Sequence, residues 1–204
     1  MPTPRWIQIV VFVSGALWLG LLILQGASVQ VDWLRSLGGI AGVITMGVLV
    51  FDRYAWKWPG VHRLTHRRVL HGSWRGTLVS NWVNPGTGQG VPPTECYLVI
   101  HQTYSEISVA LMTAESSSRS ITAGVHDPAR GQCLLSAIYQ NTPDLLIQDR
   151  SRIHRGGVIL EIAGSPPESL NGFYWTDRDS KGEMTFEEHS PKPAERFKAA
   201  QAMF

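Results

Sequence analysis

The chain has 204 residues, 44% of them apolar, and its 18 Lys and Arg against 16 Asp and Glu leave a net charge of +2. Residues 1–71 hold seven Lys and Arg against two Asp, so the remainder of the chain is net negative. The C-terminal part therefore lacks the broad basic surface that nonspecific binding of DNA or RNA requires. Two cysteines without histidines at metal-ligand spacing also make no metal site.

Two uncharged apolar stretches, residues 6–24 and 36–51, open the chain and predict a two-helix transmembrane hairpin over residues 1–56. A helix of about 20 apolar residues crosses a bilayer core of about 30 Å. The second stretch is at the short end of this range, unless Arg35 snorkels into the headgroups. A cleaved signal peptide is disfavoured, because its apolar region has about 7–15 residues. A pair of soluble core helices is disfavoured too, since no other helical segment would cover them.

The positions of Lys and Arg predict the orientation of this hairpin. Five of these residues follow the second stretch, whereas the connecting loop holds only Arg35 beside Asp32. The positive-inside rule then places both chain termini in the cytoplasm. Residues 57–72 form a basic juxtamembrane linker, either a short helix on anionic headgroups or a solvated charge cluster.

Residues 73–189 alternate short apolar runs with Pro, Gly and Asn breakers, and no helical pattern lies between them. This spacing is typical of an antiparallel sandwich or barrel. We predict a cytoplasmic eight-stranded antiparallel up-and-down β-barrel, whose interior holds side chains or one small ligand. The predicted strands cover residues 74–82, 95–104, 106–113, 118–126, 133–139, 153–162, 170–178 and 183–189.

The first predicted strand begins at Trp74, directly after Gly72 and Ser73. This Gly-Ser-Trp opening resembles the Gly-x-Trp entry of lipocalin-like and avidin-like barrels. In those barrels the Trp plugs one end. We therefore expect Trp74 to pack at an end of the barrel rather than to contact a ligand.

Polar residues at predicted strand ends suggest a binding mouth. Thr176 and Arg178 share one alternating face of the seventh strand, and a buried Arg needs an anion or a carboxylate partner. The alternative is that Arg178 lies at the rim in water. Each of the other polar residues is by itself an ordinary strand-end group, but together they predict one mouth: Thr113, Ser118, Tyr139, Asn141 and His154.

Six short segments behind the apolar hairpin carry a family resemblance. They are residues 72–78 (GSWRGTL), 102–104 (QTY), 113–118 (TAESSS), 139–143 (YQNTP), 154–156 (HRG) and 170–178 (LNGFYWTDR). In this order the chain resembles the two-transmembrane, β-strand-rich effectors of CBASS, the bacterial cyclic-oligonucleotide anti-phage defence.

The resemblance implies a receptor without a cofactor, in the bacterial inner membrane, that binds a cyclic dinucleotide made by a partner nucleotidyltransferase. Binding then drives self-association into a homo-oligomer, disruption of the membrane lipid and abortive infection. Arg178 would pair with a phosphate and Tyr139 would stack on a base. The remaining predicted site residues would hydrogen-bond phosphate or base edges: Thr113, Ser118, Asn141, His154 and Thr176.

Gly38 and Gly42 form a small-xxx-small pair, which lets helices approach closely. They either assemble copies of the chain in the membrane or pack the hairpin on itself. The tail, residues 190–204, is either frayed or a helix that covers a barrel end with Phe197, Ala200 and Phe204.

Two other classes of function fit less well. A membrane-tethered lipocalin-like barrel that carries an apolar small ligand would have the same fold, but Arg178 and Thr176 would not face its cavity. An enzyme is disfavoured because no nucleophile elbow, metal-ligand spacing or paired acids occur in the sequence.

Overall fold

The computed structural model describes residues 5–24, 31–59, 61, 65, 67–83, 86–127, 132–149 and 151–204. The chain divides into two compact units. The first is Met1–Thr65 with Thr103–Ser105, and the second is His66–Gln102 with Glu106–Phe204. The predicted division at residues 56, 72 and 189 stays a prediction, and parts of the predicted linker fall outside the described residues.

The first unit contains helix α1, Arg5–Leu24, helix α2, Val31–Arg53, and a 3-10 turn, Ala55–Lys57. Asp52 accepts hydrogen bonds from the backbone amides of Tyr104 (2.8 Å) and Ser105 (2.9 Å).

The described part of the chain does not include residues 25–30. It also does not include the side chains of residues 31–41 and of several positions of α1. In the part of the chain that the structure describes, no helix is long and apolar enough to cross a membrane. The membrane hairpin therefore stays a prediction. The assembly role of Gly38 and Gly42 stays a prediction too. Apart from the helix's own backbone, no atom of the described residues lies within 4 Å of the place that a Cβ would take at Gly42.

The second unit is built around a closed barrel in which each strand pairs antiparallel with the next and β8 pairs with β1. This confirms the predicted eight-stranded antiparallel up-and-down barrel. The strands are β1 Gly72–Ser80, β2 Thr94–Gln102, β3 Ile107–Met112, β4 Ser116–His126, β5 Leu134–Pro143, β6 His154–Ala163, β7 Ser169–Thr176 and β8 Lys181–Ser190.

The seventh strand ends earlier than predicted. The amide of Thr176 donates to the carbonyl of Ser180 at 2.9 Å, which closes a turn directly after β7. Arg178 therefore lies on this turn and is exposed. Its predicted place on the inward face of the strand is wrong, and the alternative of a rim position is correct.

One half of the barrel is filled with apolar side chains. Trp74 is fully buried where β1 begins, and its indole Nε1 donates to the carbonyl of Leu70 at 3.0 Å. Its ring lies 4.3 Å from the ring of His189. Leu170 and Phe186 are also fully buried in this core. Trp74 thus packs at one end of the barrel, as expected.

The C-terminal tail covers the outer wall of β2 instead of a barrel end. A short helix, α3 (Phe197–Gln201), follows β8. The rings of Phe197 and Phe204 lie 5.3 and 5.9 Å from the ring of Tyr97, which points outward from β2. Because Tyr97 and Val99 are apolar on this outer face, both faces of β2 are buried.

Candidate functional site

A cavity of 660 Å³ opens at the end of the barrel where the odd-numbered strands end and the even-numbered strands begin. All eight strands contribute to its lining: Leu78, Thr94, Leu111, Ser118, Tyr139, His154, Tyr174 and Met184. Its volume lies within the range of about 300–1,000 Å³ that is usual for small-molecule sites. Beneath it lies a mostly apolar recess of only 20 Å³. The larger of these two spaces thus lies in this half of the barrel.

Two glycines let the tyrosine rings of the cavity lie against the barrel wall. A Cβ at Gly156 would lie 2.6 Å from Oη of Tyr139, and a Cβ at Gly182 would lie 2.7 Å from Cε1 of Tyr174. Real carbon atoms do not approach so closely, so a larger residue at either position would push the ring away from the wall. The absence of these side chains keeps the middle of the barrel open.

The structure brings all of the predicted ligand-binding residues together around this one cavity: Thr113, Ser118, Tyr139, Asn141, His154, Thr176 and Arg178. Their binding roles stay predictions. Their contacts within the protein nevertheless divide these residues into three sets. The first set holds turns, the second offers hydrogen-bond donors inside the cavity, and the third lies at the rim.

The hydroxyls of Thr113 and Thr176 hold turns at the mouth. Thr113 Oγ1 accepts from the amide of Ser116 at 3.1 Å, in the turn between β3 and β4. Thr176 Oγ1 lies 2.7 Å from Oγ of Ser180 and accepts from the amide of Arg178 at 3.2 Å. Both threonines therefore shape the mouth through bonds within the protein.

Deeper in the cavity, two polar groups have no hydrogen-bond partner among the described residues. Ser118 Oγ donates to Oδ1 of Asn141 at 2.9 Å, which leaves the Asn141 amide nitrogen available. The hydroxyl of Tyr139 is the second such group, and burial raises the pKa of this phenol. Both groups are therefore hydrogen-bond donors ready for a ligand.

The rim carries a cation and a neutral imidazole. Arg178 donates from Nη1 to the carbonyl of Arg152 at 3.3 Å and from Nη2 to Oγ of Ser151 at 3.4 Å. His154 Nδ1 lies 3.0 Å from the same carbonyl. Burial lowers the pKa of His154 below its usual value, and the positive charge of Arg178 adds to this effect. Among the described residues that line the cavity, Arg178 is thus the one cationic side chain and Glu115 the one acidic side chain.

Ser80 and Tyr174 are further residues of the site, which the predicted set does not include. The hydroxyl of Tyr174 donates to Oγ of Ser80 at 2.8 Å, and both residues line the cavity. Burial raises the pKa of Tyr174, although the bond to Ser80 opposes this shift. The signal for Tyr174 was its place on the same alternating face of β7 as Thr176.

Neither cysteine offers a nucleophile. Burial raises the pKa of Cys96 to about 12 and that of Cys133 to about 11, so both thiols are protonated at neutral pH. Among the described residues, no group of His, Cys, Asp or Glu is placed to hold a metal ion.

Comparison with known proteins identifies two matches. A family model described as "Cap15, cyclic dinucleotide receptor domain" matches residues 69–188, which is more than half of the chain. A curated relative from Staphylococcus schleiferi, "CD-NTase-associated protein 15", is 24% identical over 165 residues, covering 80% of this chain and 85% of its own length. The matched family is a receptor domain and not a catalytic one, which agrees with the prediction that the chain is not an enzyme.

Replacing Thr176 by Val is expected to lower the free energy of unfolding by about 1–3 kcal/mol, because the buried Ser180 hydroxyl loses its partner. Thr176→Ser keeps the hydroxyl and is the matched control. Unfolding in denaturant, followed by tryptophan fluorescence, compares both variants with the wild type. If the Val variant were as stable as the Ser variant, the Thr176 hydroxyl would not stabilise the turn after β7.

Proposed function

We propose that this chain, which belongs to the Cap15 cyclic dinucleotide receptor family of CBASS effectors, binds its ligand in the open half of the barrel. The ligand is a cyclic dinucleotide made by a partner nucleotidyltransferase during phage infection. Binding drives self-association, and the assembled chains disrupt the bacterial inner membrane, so that the infected cell stops growing or dies.

The observation that carries the ligand assignment is the distribution of polar groups in one 660 Å³ cavity. A cyclic dinucleotide is a ring of two sugar phosphates that carries two bases, so it needs a cation for a phosphate and donors or acceptors for base edges. The exposed guanidinium of Arg178 meets the first need at the rim. The Tyr139 hydroxyl and the Asn141 amide meet the second need inside.

Each residue of the site takes a role that follows from its contacts. Arg178 pairs with a phosphate through charge-assisted hydrogen bonds. Tyr139 donates its hydroxyl to a base, in addition to the predicted stacking of its ring, and Ser118 orients Asn141. His154 hydrogen-bonds a phosphate. Because their hydroxyls are engaged in turns, Thr113 and Thr176 are positioning residues rather than ligand contacts.

The carrier of an apolar ligand is the weaker alternative. An apolar ligand in this cavity would bury the donors of Tyr139 and Asn141 without partners, and each such group costs about 1–3 kcal/mol. Arg178 and Thr176 also line the cavity, which is the feature that such a carrier would lack.

The membrane part of the proposal rests on the apolar stretches 6–24 and 36–51 and on the basic residues that flank them. We place residues 1–56 in the inner membrane as a hairpin with both termini in the cytoplasm. Helix packing at Gly38 and Gly42 then brings copies of the hairpin together in the lipid.

Arg178→Ala is expected to weaken binding of the cyclic dinucleotide by about tenfold to a hundredfold, since a charge-assisted hydrogen bond contributes about 1.5–3 kcal/mol. Arg152→Ala is the matched control, because it removes the same charge from a neighbouring side chain that does not line the cavity. Calorimetry of the full chain in detergent, across a panel of cyclic dinucleotides, measures both. No heat from any of them, together with stabilisation by a fatty acid, would favour the carrier instead.

Binding is expected to tighten as the pH falls from about 8 to 6. In the free protein the pKa of His154 is lowered, so its ring is neutral at pH 7. A bound phosphate would raise this pKa, so the complex takes up one proton, and the dissociation constant falls by at most about tenfold per pH unit. His154→Gln should flatten the dependence. If the dissociation constants of the wild type and of this variant depended equally on pH, His154 would not contact the phosphate.

Permeability of the inner membrane to a dye, after induction of the partner nucleotidyltransferase, tests the effector role. The wild type should admit the dye, and Arg178→Ala should admit less of it because its ligand binding is weakened. A chain without residues 1–56 should admit none. Gly38→Leu combined with Gly42→Leu should bind ligand and yet permeabilise poorly, because bulky side chains hold helices apart. Dye uptake driven by the chain without residues 1–56 would rule out the hairpin as the disrupting element.

A further inference from the structure

The outer wall of β6 and β7 carries an apolar patch. Phe173 and Trp175 are 53% and 44% exposed, and their ring centroids lie 6.2 Å apart. The Trp175 indole lies flat across Gly157 of β6, where a Cβ would come within 2.7 Å of its Cε2. We call Gly157, Ile159, Phe173 and Trp175 the outer patch. It contrasts with the outer face of β2, which the C-terminal tail covers.

The strand register arranges the outer patch and its neighbours on β8 in two parallel rows. Gly157 pairs with Trp175, and Trp175 pairs with Lys181, which gives the first row. In the second row Ile159 pairs with Phe173, and Phe173 pairs with Glu183. All of these residues point outward, because they alternate with Val158, Tyr174 and Gly182 on the inner face.

Charges frame the outer patch with opposite signs on opposite sides. On β6, Arg155 lies two residues before Gly157 and Glu161 lies two residues after Ile159. On β8, Lys181 ends the first row and Glu183 ends the second. All four charged residues are exposed, and the ion pairs of the described residues do not include them.

This arrangement is self-complementary. Consider a two-fold axis that lies in the contact plane and crosses the strands at the level of Val158. It sets the first row of one copy against the second row of the other, so that Trp175 faces Phe173. Gly157 is buried beneath the Trp175 indole of its own copy, so this indole, and not Gly157, lies opposite the half-buried Ile159 of the other copy. The same operation sets Lys181 against Glu183 and Arg155 against Glu161. Two-fold symmetry makes each of these contacts twice.

We propose that the outer patch is a self-association surface that binds a second copy of this chain about this two-fold axis. Opposite charges around an apolar centre select one partner and one register, because juxtaposed like charges oppose the contact. The inference rests on the self-association in the proposed function and gives it a surface. Tyr174 and Thr176 alternate with the patch residues along β7 and line the cavity. The same strand therefore contributes its inner face to the cavity and its outer face to the proposed contact with a second copy.

Charge reversal tests the pairing. Arg155→Glu and Glu161→Arg, each alone, set like charges against each other twice and should weaken dimerisation of the full chain by tenfold or more. Combining both changes in one chain should restore it. Mixing the two single variants should also restore it, since only the mixed dimer has both pairs matched. Lys192→Glu, an exposed reversal away from the patch, is the control. Sedimentation velocity in non-ionic detergent, over a concentration series with and without the panel of cyclic dinucleotides, measures the dimer.

Cysteine trapping provides a second readout for weak association. Lys181→Cys in one chain should crosslink with Glu183→Cys in another more than either variant does with itself. The native Cys96 and Cys133 are buried with raised pKa values, so they contribute little background.

Three results would overturn the surface. The first is a wild type that binds a cyclic dinucleotide and yet stays monomeric, with no preferential crosslinking, both with and without it. The second is a dimer that neither single reversal weakens, and the third is no recovery in the mixture. Trp175-dependent binding of phosphatidylglycerol vesicles by a monomeric chain would overturn it as well and assign the patch to lipid. Calorimetry with the cyclic dinucleotide panel on the same variants separates the two proposals. Intact binding with a failed charge exchange overturns the surface alone, whereas charge exchange without ligand binding overturns the ligand assignment alone.

Discussion

The pairing of β8 with β1 is the constraint on which the rest of the second unit depends. Closure leaves eight strands with no free edge and gives every inward side chain the same narrow space to share. Large residues such as Trp74 and Phe186 fill one half of that space completely. In the other half, Gly156 and Gly182 leave room beside two tyrosines. One closed sheet thereby supplies both a core and a binding cavity.

The up-and-down topology explains why distant residues form one site. Every odd-numbered strand ends at the open end of the barrel, and every even-numbered strand begins there. Residues as far apart in sequence as Ser80 and Tyr174 therefore meet within hydrogen-bond distance. Turns at this end also carry the rim residues. Arg178 is placed by the bond from its amide to Thr176 in the turn after β7, and by the bond from its guanidinium to the carbonyl of Arg152 before β6. A rim cation over neutral donors suits an anionic ligand that inserts its bases.

The outer faces of the strands are used unequally. On β2, the aromatic ring of Tyr97 is covered by the C-terminal tail, which is anchored where the amide of Ala194 donates to Oγ of Ser73 at 2.8 Å. On β7, comparable aromatic surface at Phe173 and Trp175 stays exposed. A chain that covers one apolar face with its own tail and leaves another open has surface available for a partner.

The sequence alone predicted the eight-stranded antiparallel barrel, and it predicted that the candidate site residues lie together at one mouth. Period-two alternation and Pro or Gly breakers are local signals, and hairpin connections leave antiparallel strands few ways to arrange themselves. Polar residues at strand ends, such as Ser118 and Asn141, were therefore expected at one mouth, and the structure brings them together. The apolar runs also predicted the positions of the two long N-terminal helices, whereas the membrane role inferred from the same runs stays a prediction.

Only the tertiary structure decided what the individual groups do. The turn bonds that engage Thr176 and Thr113 depend on backbone conformations that no spacing rule encodes. The bonds of Thr176 also place Arg178 on the turn after β7 and not on the strand. The tail was expected over a barrel end, but its phenylalanines follow the apolar outer face of β2. The space in the cavity depends on which glycine lies opposite which ring. This pairing depends on strand register. Closure of the barrel sets the register, whereas the sequence of a single strand does not set it.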